Sequence, residues 1–380
     1  MIWIRADANE EIGTGHVMRC LSIADALKRR GQRPCFITAD ERTVPVLERR
    51  GQEYRILHSD YRNMVDELPG LLDLIAGGKP DFFLADSYFV TPRYLREVRR
   101  SVPAGFLDDL ARTDVAADLL VNYNIFADAS LYGSADGAAA GGANSVGEAD
   151  GAAGVASSAG AETAGFAGAS PAGGAAVCGK YLLGTEYVPL RGEFRGVEYS
   201  VRERAETVLV TTGGSDKYNL AGQLLKKALA DPHAAELRYL VVSGAYNVHL
   251  PELTELEGRH ANVNICCNVN NMSELMRESD IAVSAGGSTM YELSAVGVPV
   301  ICISFVDNQE RIVRGFVEKG LACFGGNYLA QGEAVLDGAV SGINRLAADP
   351  ALRRDYSARL RALVDGKGAE RIAEWLCGHR

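Results

Sequence analysis

The chain has 380 residues, of which 47% are hydrophobic and 23% are charged, and its formal net charge is −10 at pH 7. The length predicts two domains, and the composition is typical of a globular protein. The acidic balance argues against nucleic acid as a partner. No apolar run reaches the roughly 18 residues that a membrane span needs, and the N-terminus shows no signal-peptide pattern. We therefore expect a cytoplasmic protein without a membrane span.

The eight cysteines include no C-x-x-C pair. Cys266 and Cys267 are adjacent on a predicted strand, so their side chains should point to opposite faces. This usage is typical of reduced thiols in a reducing compartment, and it predicts neither a metal site nor a cofactor.

The first loop of the chain joins a predicted strand to a predicted helix. The apolar run 1–4 indicates a buried strand, residues 21–27 have helical spacing, and Gly13, Gly15 and His16 lie between them. The positive end of a helix dipole favours an uncharged imidazole, and a neutral histidine suits a general base. The alternative is a tight turn whose capping histidine contacts no ligand.

Strands and helices alternate through the rest of the first half, which predicts a parallel sheet. The strands are expected at 34–38, 54–57, 81–86, 105–109 and 118–122, and the helices at 44–50, 65–76 and 92–100. Polar residues follow three strands, namely Asp86, Ser87 and Tyr88, then Asp108 and Asp109, then Asn122 and Asn124. Ligands bind at the carboxyl ends of such strands, so these residues predict a cleft beside His16. The alternative is that they are turn formers and helix caps.

Residues 133–176 form a Gly/Ala/Ser tract with almost nothing to bury. We expect a disordered insert, spanning 132–177, in an N-terminal domain of residues 1–195. Because loop length is thermodynamically mild, deleting 135–175 should barely change stability.

The second half repeats the alternating pattern. Strands are expected at 207–211, 239–242, 263–266, 280–284 and 298–303, and helices at 219–229, 272–279, 290–296 and from 307. The remainder, from about 331, is expected to be helical, with Pro350 starting one helix and residues 366–368 breaking the chain before the last. These elements predict a second domain at 205–365, followed by a C-terminal helix at 366–380. The expected fold class is α/β, with two doubly wound Rossmann-like domains facing each other across a cleft.

Three glycine loops each lie between a predicted strand and a predicted helix, and they contain Gly13 and Gly15, Gly213 and Gly214, and Gly286 and Gly287. The third loop adds the hydroxyls of Ser288 and Thr289 to the N–H groups of a helix start, which suits a diphosphate. Glu292 follows one helical turn later and could accept both hydroxyls of a ribose, although it could also be a solvated surface glutamate. A Walker lysine and the G-x-G-x-x-G spacing are both missing, so a nucleotide-sugar enzyme fits better than an NTPase or a dinucleotide fold.

These motifs carry a resemblance to a known family. The segments concerned are Arg5-Ala6-Asp7, Gly13-Thr14-Gly15-His16-Val17-Met18-Arg19-Cys20, Asp86-Ser87-Tyr88, Leu107-Asp108-Asp109, Asn122, Thr211-Thr212-Gly213-Gly214-Ser215-Asp216 and Asn308-Gln309-Glu310. Together they resemble the PseG/SpsG family of the GT-B superfamily, which includes the UDP-2,4-diacetamido-2,4,6-trideoxy-β-L-altropyranose hydrolases of pseudaminic acid biosynthesis. Ser87 stands where the family usually has a histidine.

The resemblance implies a metal-independent, inverting hydrolase that needs no cofactor and releases UDP from a UDP-sugar. In this chain His16 would orient or deprotonate the attacking water, and Tyr88, Asn308 and Gln309 would lie near the sugar. The third glycine loop and Glu292 would hold the diphosphate and ribose, and Gly13, Gly15, Arg19, Asp86, Gly213 and Gly214 would complete the substrate site. We expect a monomer. Two alternatives stay open: a GT-B glycosyltransferase similar to the peptidoglycan enzyme that adds N-acetylglucosamine to a lipid intermediate, and a non-catalytic nucleotide-sugar binding protein.

Overall fold

The computed structural model describes residues 1–112, 114–132, 178–244, 247–305 and 307–378, apart from the side chains of Asp307 and Asn308. The predicted Gly/Ala/Ser insert therefore lies outside the described residues, except for Tyr132 at its edge, which is buried.

The first domain is built on a parallel sheet, to which the described residues contribute seven strands in the order β3-β2-β1-β4-β5-β6-β7. The strands are β1 (Ile2–Ala6), β2 (Pro34–Thr38), β3 (Glu53–Ile56), β4 (Phe82–Asp86), β5 (Ala104–Leu107), β6 (Leu119–Asn122) and β7 (Tyr181–Leu183). Its helices are α1 (Gly15–Arg29), α2 (Val44–Arg49), α3 (Leu68–Gly78) and α4 (Pro92–Arg99). Strands β1, β2, β4, β5 and β6 are buried along their whole length, as expected for a sheet covered on both faces.

The second domain repeats this plan with six described strands in the order β10-β9-β8-β11-β12-β13. The strands are β8 (Thr207–Thr211), β9 (Arg238–Ser243), β10 (Val263–Cys267), β11 (Ile281–Ala285), β12 (Val300–Ser304) and β13 (Cys323–Asn327). The helices are α5 (Leu220–Ala230), α6 (Leu250–Arg259), α7 (Met272–Glu278), α8 (Thr289–Val296), α9 (Asp307–Glu318), α10 (Tyr328–Gln331), α11 (Ala334–Ala348) and α12 (Pro350–Leu363). The predicted fold class, two doubly wound Rossmann-like domains, is confirmed.

Strand order reverses once in each sheet, and these two points position the site. In the first sheet β1 lies between β2 and β4, and in the second sheet β8 lies between β9 and β11. Loops that leave the carboxyl ends of the central strands there run to opposite sides and open a crevice. The loop after β1 leads into α1, whose second residue is His16, and the loop after β11 carries the third glycine motif.

The last helix, α13 (Gly368–Gly378), packs against the first domain rather than the second. Ile372 and Leu376 are buried in one core with Val17 and Leu21 of α1, and the ring of Trp375 meets Phe82 edge to face at 5.8 Å. The C-terminal residues therefore complete the domain with which the chain begins.

The elements that were not predicted are strand β7 in the first half, and helix α6, strand β13 and the short helix α10 in the second half. Helix α6 lies between β9 and β10, and β13 runs beside β12. The sequence of β13, Cys-Phe-Gly-Gly-Asn, has the glycines of a turn and lacks the branched side chains that indicate a strand. Among the described residues, we find no helix with the length and apolarity needed to cross a bilayer.

Candidate active site

A cavity of about 600 Å³ lies between the two domains. Its wall from the first domain includes Thr14, Gly15, His16, Arg19, Tyr88, Asp109, Leu110, Tyr123 and Asn124. Its wall from the second domain includes Ser243, Gly244, Asn268, Gly286, Gly287, Ser288, Thr289, Tyr291, Glu292 and Gln309, and Arg191 enters from the segment between the domains. The volume falls within the range of small-molecule sites.

His16 is the second residue of α1, and its ring is almost buried, with 4% exposed. Its Nδ1 lies 2.6 Å from Oδ1 of Asp86, the last residue of β4. The pair forms because β1 and β4 are neighbours in register, with Ala6 beside Asp86. The structure thus brings together a histidine and a carboxylate that are 70 residues apart in the sequence.

Asp86 is fully buried and ionised. Burial would raise the pKa of its carboxyl, but the positive charge of Arg19, together with His16 and their hydrogen bonds, holds that pKa well below its usual range. The Nε of Arg19 donates to Oδ2 of Asp86 at 2.6 Å, and Nη2 donates to Oδ1.

The ionised carboxylate determines which nitrogen of His16 carries the proton. Asp86 can only accept, so Nδ1 must donate to it, and this leaves Nε2 of a neutral ring with the lone pair. The Nη2 of Arg19 also lies 2.9 Å from Nδ1, but a guanidinium can only donate, so that contact is not a hydrogen bond to this tautomer. The arrangement is that of a histidine base oriented by a carboxylate.

Arg19 was predicted to bind substrate, yet its donors engage protein groups. Besides the two bonds to Asp86, its Nη1 donates to Asp109 and, at 2.6 Å, to the hydroxyl of Tyr123. Burial of the guanidinium is offset by Asp109 and Asp86, and its pKa is raised well above the ordinary value. Arg19 lines the cavity, but its contacts hold the carboxylate behind His16.

Two half-exposed side chains form an apolar surface next to His16. Tyr88 places its ring edge to face against His16, with the ring centroids 4.4 Å apart. Tyr88 is 36% exposed and Leu110 is 42% exposed, and both line the cavity. Such a surface can pack against the apolar parts of a sugar.

The opposite wall is the start of α8. Ser288 precedes the helix, and its side chain makes no capping bond. The first N–H groups of a helix have no intrahelical acceptor, and the helix dipole adds positive potential there. With the hydroxyls of Ser288 and Thr289 alongside, this end of α8 offers several donors to an anion.

Glu292 lies one turn further along α8, with 17% of its side chain exposed. Burial raises the pKa of Glu292, and the nearby Arg191 opposes that shift. The Nη2 of Arg191 lies 3.3 Å from Glu292 and 3.1 Å from Glu193. Arg191 was not assigned a role from the sequence, where it is one of many arginines and nothing shows that its segment passes between the domains.

Of the remaining residues that were predicted to bind substrate, some line the cavity and others do not. Gln309 lines the cavity, whereas the side chain of Asn308 lies outside the described residues. Asp86 stands behind His16, and Gly13, Gly213 and Gly214 are not among the lining residues. Gly13 turns the first loop with φ of +69°. Gly214 packs behind the cavity-lining Gly244. A Cβ on Gly244 would overlap the carbonyl oxygen of Gly214.

Tyr123, Asn124, Tyr291 and the Ser243–Gly244 pair also lie at the cavity without a predicted role. Asn124 was noted as a strand-end residue, but Tyr123 and Tyr291 look like ordinary core residues in the sequence. Within the described part of the chain, no group of three His, Cys, Asp or Glu side chains is placed to hold a metal ion.

Comparison with curated proteins finds related sequences. Residues 207–333 match the model of the glycosyltransferase family 28 C-terminal domain. The spore coat polysaccharide biosynthesis protein SpsG of Bacillus subtilis is 28% identical over 192 residues, which cover 50% of this chain and 56% of that protein. The UDP-N-acetylglucosamine–N-acetylmuramyl-(pentapeptide) pyrophosphoryl-undecaprenol N-acetylglucosamine transferase of Sorangium cellulosum is 29% identical over 193 residues, which cover 49% of this chain and 47% of that enzyme. The chain thus spans about half the length of the curated relatives it matches.

Solved structures resemble the whole chain. MurG of Acinetobacter baumannii superposes with a TM-score of 0.63 at 12% identity, covering 99% of each chain. The spinosyn rhamnosyltransferase SpnG in complex with thymidine diphosphate has a TM-score of 0.61 at 14% identity, covering 98% of this chain and 99% of that one. The chain therefore has the two-domain fold of the GT-B glycosyltransferases, and its second domain contains the sequence pattern of the family 28 C-terminal domain.

Proposed function

We propose that the protein binds a UDP-sugar across the cleft and hydrolyses the bond between the anomeric carbon and the diphosphate. One observation carries the proposal: His16, whose Nδ1 is held by the buried Asp86, and the start of α8 line opposite walls of the same cavity. A base is thus available on one side, and donors for a departing diphosphate on the other. The GT-B fold and the nucleotide-sugar enzymes among the relatives are consistent with this assignment.

In the proposed reaction, Nε2 of His16 accepts a proton from water while the water oxygen attacks the anomeric carbon. The bond from that carbon to the β-phosphate oxygen breaks, and its electron pair stays on the departing UDP. The N–H groups at the start of α8, with Ser288 and Thr289, stabilise the negative charge that grows there. Asp86 stabilises the imidazolium as it forms, in the role a carboxylate has beside a histidine base. Attack opposite the leaving group inverts the anomeric centre.

The rest of the cavity can hold the nucleoside. Glu292 accepts the ribose hydroxyls in this proposal, and its carboxylate stays within 3.3 Å of Nη2 of Arg191. Beyond the ribose, Ser243, Gly244 and Asn268 provide polar groups that can contact the nucleobase. Tyr88 and Leu110 form an apolar surface next to His16, against which the methyl groups of a 2,4-diacetamido-2,4,6-trideoxyhexose can pack.

A glycosyltransferase is the second candidate. It is favoured by the match to the family 28 C-terminal domain and by the identity to an N-acetylglucosamine transferase over half of the chain. The donor site would be the same, and His16 would deprotonate an acceptor hydroxyl instead of water. The two functions differ in the acceptor alone.

The deciding experiment measures UDP release by phosphorus NMR from a panel of UDP-sugars in buffer. The panel includes UDP-N-acetylglucosamine and a UDP-2,4-diacetamido-2,4,6-trideoxyhexose. Release without an added acceptor supports hydrolysis, and release that requires an acceptor supports transfer. UDP-sugar binding without release under either condition would identify a non-catalytic binding protein.

The role of His16 is tested by His16→Ala, with His58→Ala as the matched control because His58 is an exposed histidine. We expect His16→Ala to keep UDP binding and to lose at least about tenfold in turnover, and as much as 10²–10⁴-fold, the range of a general base. Turnover equal to that of the His58 variant would remove His16 from the mechanism.

A further inference from the structure

Two buried tyrosines connect the diphosphate wall of the cavity to the base on the other wall. Tyr291 follows the start of α8 and precedes Glu292, and it is fully buried. Tyr123 follows β6 in the first domain and is 5% exposed. Their rings meet edge to face, with centroids 5.9 Å apart.

The hydroxyl of Tyr291 crosses the boundary between the domains. It donates to Oδ1 of Asn124 at 3.2 Å and accepts from the backbone N–H of Ile125 at 3.1 Å. Both partners belong to the segment that follows β6. Helix α8 is thereby held in one position relative to that segment, since leaving buried hydrogen-bonding groups unpaired is costly.

The same segment holds Arg19. The hydroxyl of Tyr123 accepts a bond from Nη1 of Arg19 at 2.6 Å, and the guanidinium also lies 5.6 Å from the centre of the Tyr123 ring. Arg19 in turn donates to Asp86, which holds Nδ1 of His16. A continuous series of contacts therefore runs from α8 through Tyr291, Tyr123, Arg19 and Asp86 to the imidazole.

We propose that Tyr291 and Tyr123 are positioning residues that set the orientation of His16 according to the position of helix α8. This proposal deepens the proposed hydrolase function and rests on it. When a nucleotide is bound at α8, His16 would be aligned with the sugar only while this interdomain contact is intact. Neither tyrosine needs to touch the reacting atoms. The physical basis is that each contact in the series is buried or partly buried and is hydrogen-bonded or closely packed, so movement of α8 is transmitted along the series.

The proposal predicts a specific kinetic effect of removing either hydroxyl. Tyr291→Phe and Tyr123→Phe should lower kcat by about 10–100-fold, because small misplacements of a catalytic group cost that much, while the Kd for UDP changes less than about twofold. In the double variant the losses should not add, because both changes interrupt the same series of contacts.

Tyr239→Phe is the matched control. Tyr239 is also fully buried, and its hydroxyl donates to the carbonyl of Ala234 at 2.8 Å, within the second domain. The control should lose comparable stability yet keep kcat. If Tyr239→Phe lowered kcat as much as the other two variants, the effect would be general destabilisation and the proposal would be overturned.

A second measurement is independent of turnover. In protein labelled with ¹⁵N-histidine, the His16 signal is identified among the six histidines by its loss in His16→Ala. Without any ligand, Tyr123→Phe and Tyr291→Phe should shift the His16 ring resonances, and Tyr239→Phe should not. Unshifted resonances in both variants would overturn the proposal. A wild-type protein that cleaves no UDP-sugar would refute the hydrolase assignment instead, and the resonances would still decide whether the tyrosines position His16.

Discussion

At the scale of single residues, the site depends on how one carboxylate is held. Asp86 keeps its negative charge in a fully buried position because Arg19 donates two bonds to it and His16 a third. The proton on Nδ1 of His16 is a consequence of that charge, and the lone pair on Nε2 follows from the proton. The function proposed for His16 therefore depends on two residues that the sequence indicated as substrate contacts.

The first prediction concerns Asp86→Asn. An asparagine amide can donate to Nδ1, which would move the ring proton to Nε2 and remove the base. We expect kcat to fall at least about 100-fold, with UDP binding preserved. Steady-state kinetics and UDP titration calorimetry measure the two quantities. An Asp86→Asn variant with normal kcat would show that the tautomer of His16 is not set by this contact.

The second prediction concerns the pH dependence of ligand binding at Glu292. Burial raises the pKa of this carboxyl, and hydrogen bonds from ribose hydroxyls favour the ionised form. The affinity for UDP-N-acetylglucosamine should therefore fall as the pH is lowered, starting above the ordinary glutamate pKa of about 4.3. Calorimetry between pH 8 and pH 5 follows the change.

Two variants give the controls for that prediction. Glu292→Gln should bind weakly with no pH dependence from this group, since nothing titrates at the position. Glu193→Gln should keep the pH dependence with a lower midpoint, because the charge of Glu193 contributes to the raised pKa of Glu292. A dependence that survives in Glu292→Gln would have to come from another residue.

At the scale of elements, the cavity wall at the start of α8 depends on how closely α9 approaches the loop before α8. Gly286 allows this close approach because it has no side chain. A Cβ at that position would overlap Cγ2 of Val313 and lie 3.2 Å from Cβ of Gln309. Gly287, the next residue, would place a Cβ in open space. Packing therefore requires a glycine at position 286 but not at position 287.

The third prediction compares these two positions. Gly286→Ala should destabilise the protein by about 1–3 kcal/mol, the usual cost of overpacking a tight contact. It should also weaken UDP binding, because α9 and the loop must separate. Gly287→Ala should leave the thermal midpoint nearly unchanged. Thermal unfolding with and without UDP makes the comparison, and equal losses in the two variants would contradict the packing argument.

At the scale of the whole molecule, the last helix of the chain packs on the first one. Helix α13 packs on α1, the helix whose first turn carries His16. Ile372 is fully buried in the core shared by the two helices. The last helix thus stabilises the domain that holds the proposed base, although it follows the whole second domain in the sequence.

The fourth prediction follows from this packing. Ile372→Ala should destabilise the protein by about 2–4 kcal/mol, the range for a large-to-small change in a core. Glu374→Ala, on the exposed face of the same helix, should change stability by less than about 0.5 kcal/mol, because its ion pair with Arg30 is a surface pair. Urea unfolding measures both. Equal shifts would mean that α13 contributes little to the first domain.

Local sequence pattern was enough to predict most of the fold. Apolar runs that alternate with helical spacing located most strands of both sheets, although not the three-residue β7, since buried parallel strands are hydrophobic along their whole length. It failed at β13, whose two glycines look like a turn and whose strand conformation comes from pairing with β12. The sequence also did not show which domain the C-terminal helix packs against. Helical periodicity indicates that one face of a helix is buried, but it does not identify the element that covers this face.

For the site, the sequence alone determined which groups follow the strands: His16 after β1, the polar residues at the ends of β4 and β5, and the glycine motif between β11 and α8. These are local features, readable from residues a few positions apart. Only the tertiary structure decided that Asp86 orients His16, that Arg19 holds Asp86, that Arg191 meets Glu292, and that Tyr291 joins the domains. The physical reason is that these contacts join segments 67 to 167 residues apart, and which loops meet is set by strand order and domain packing, which no local pattern encodes.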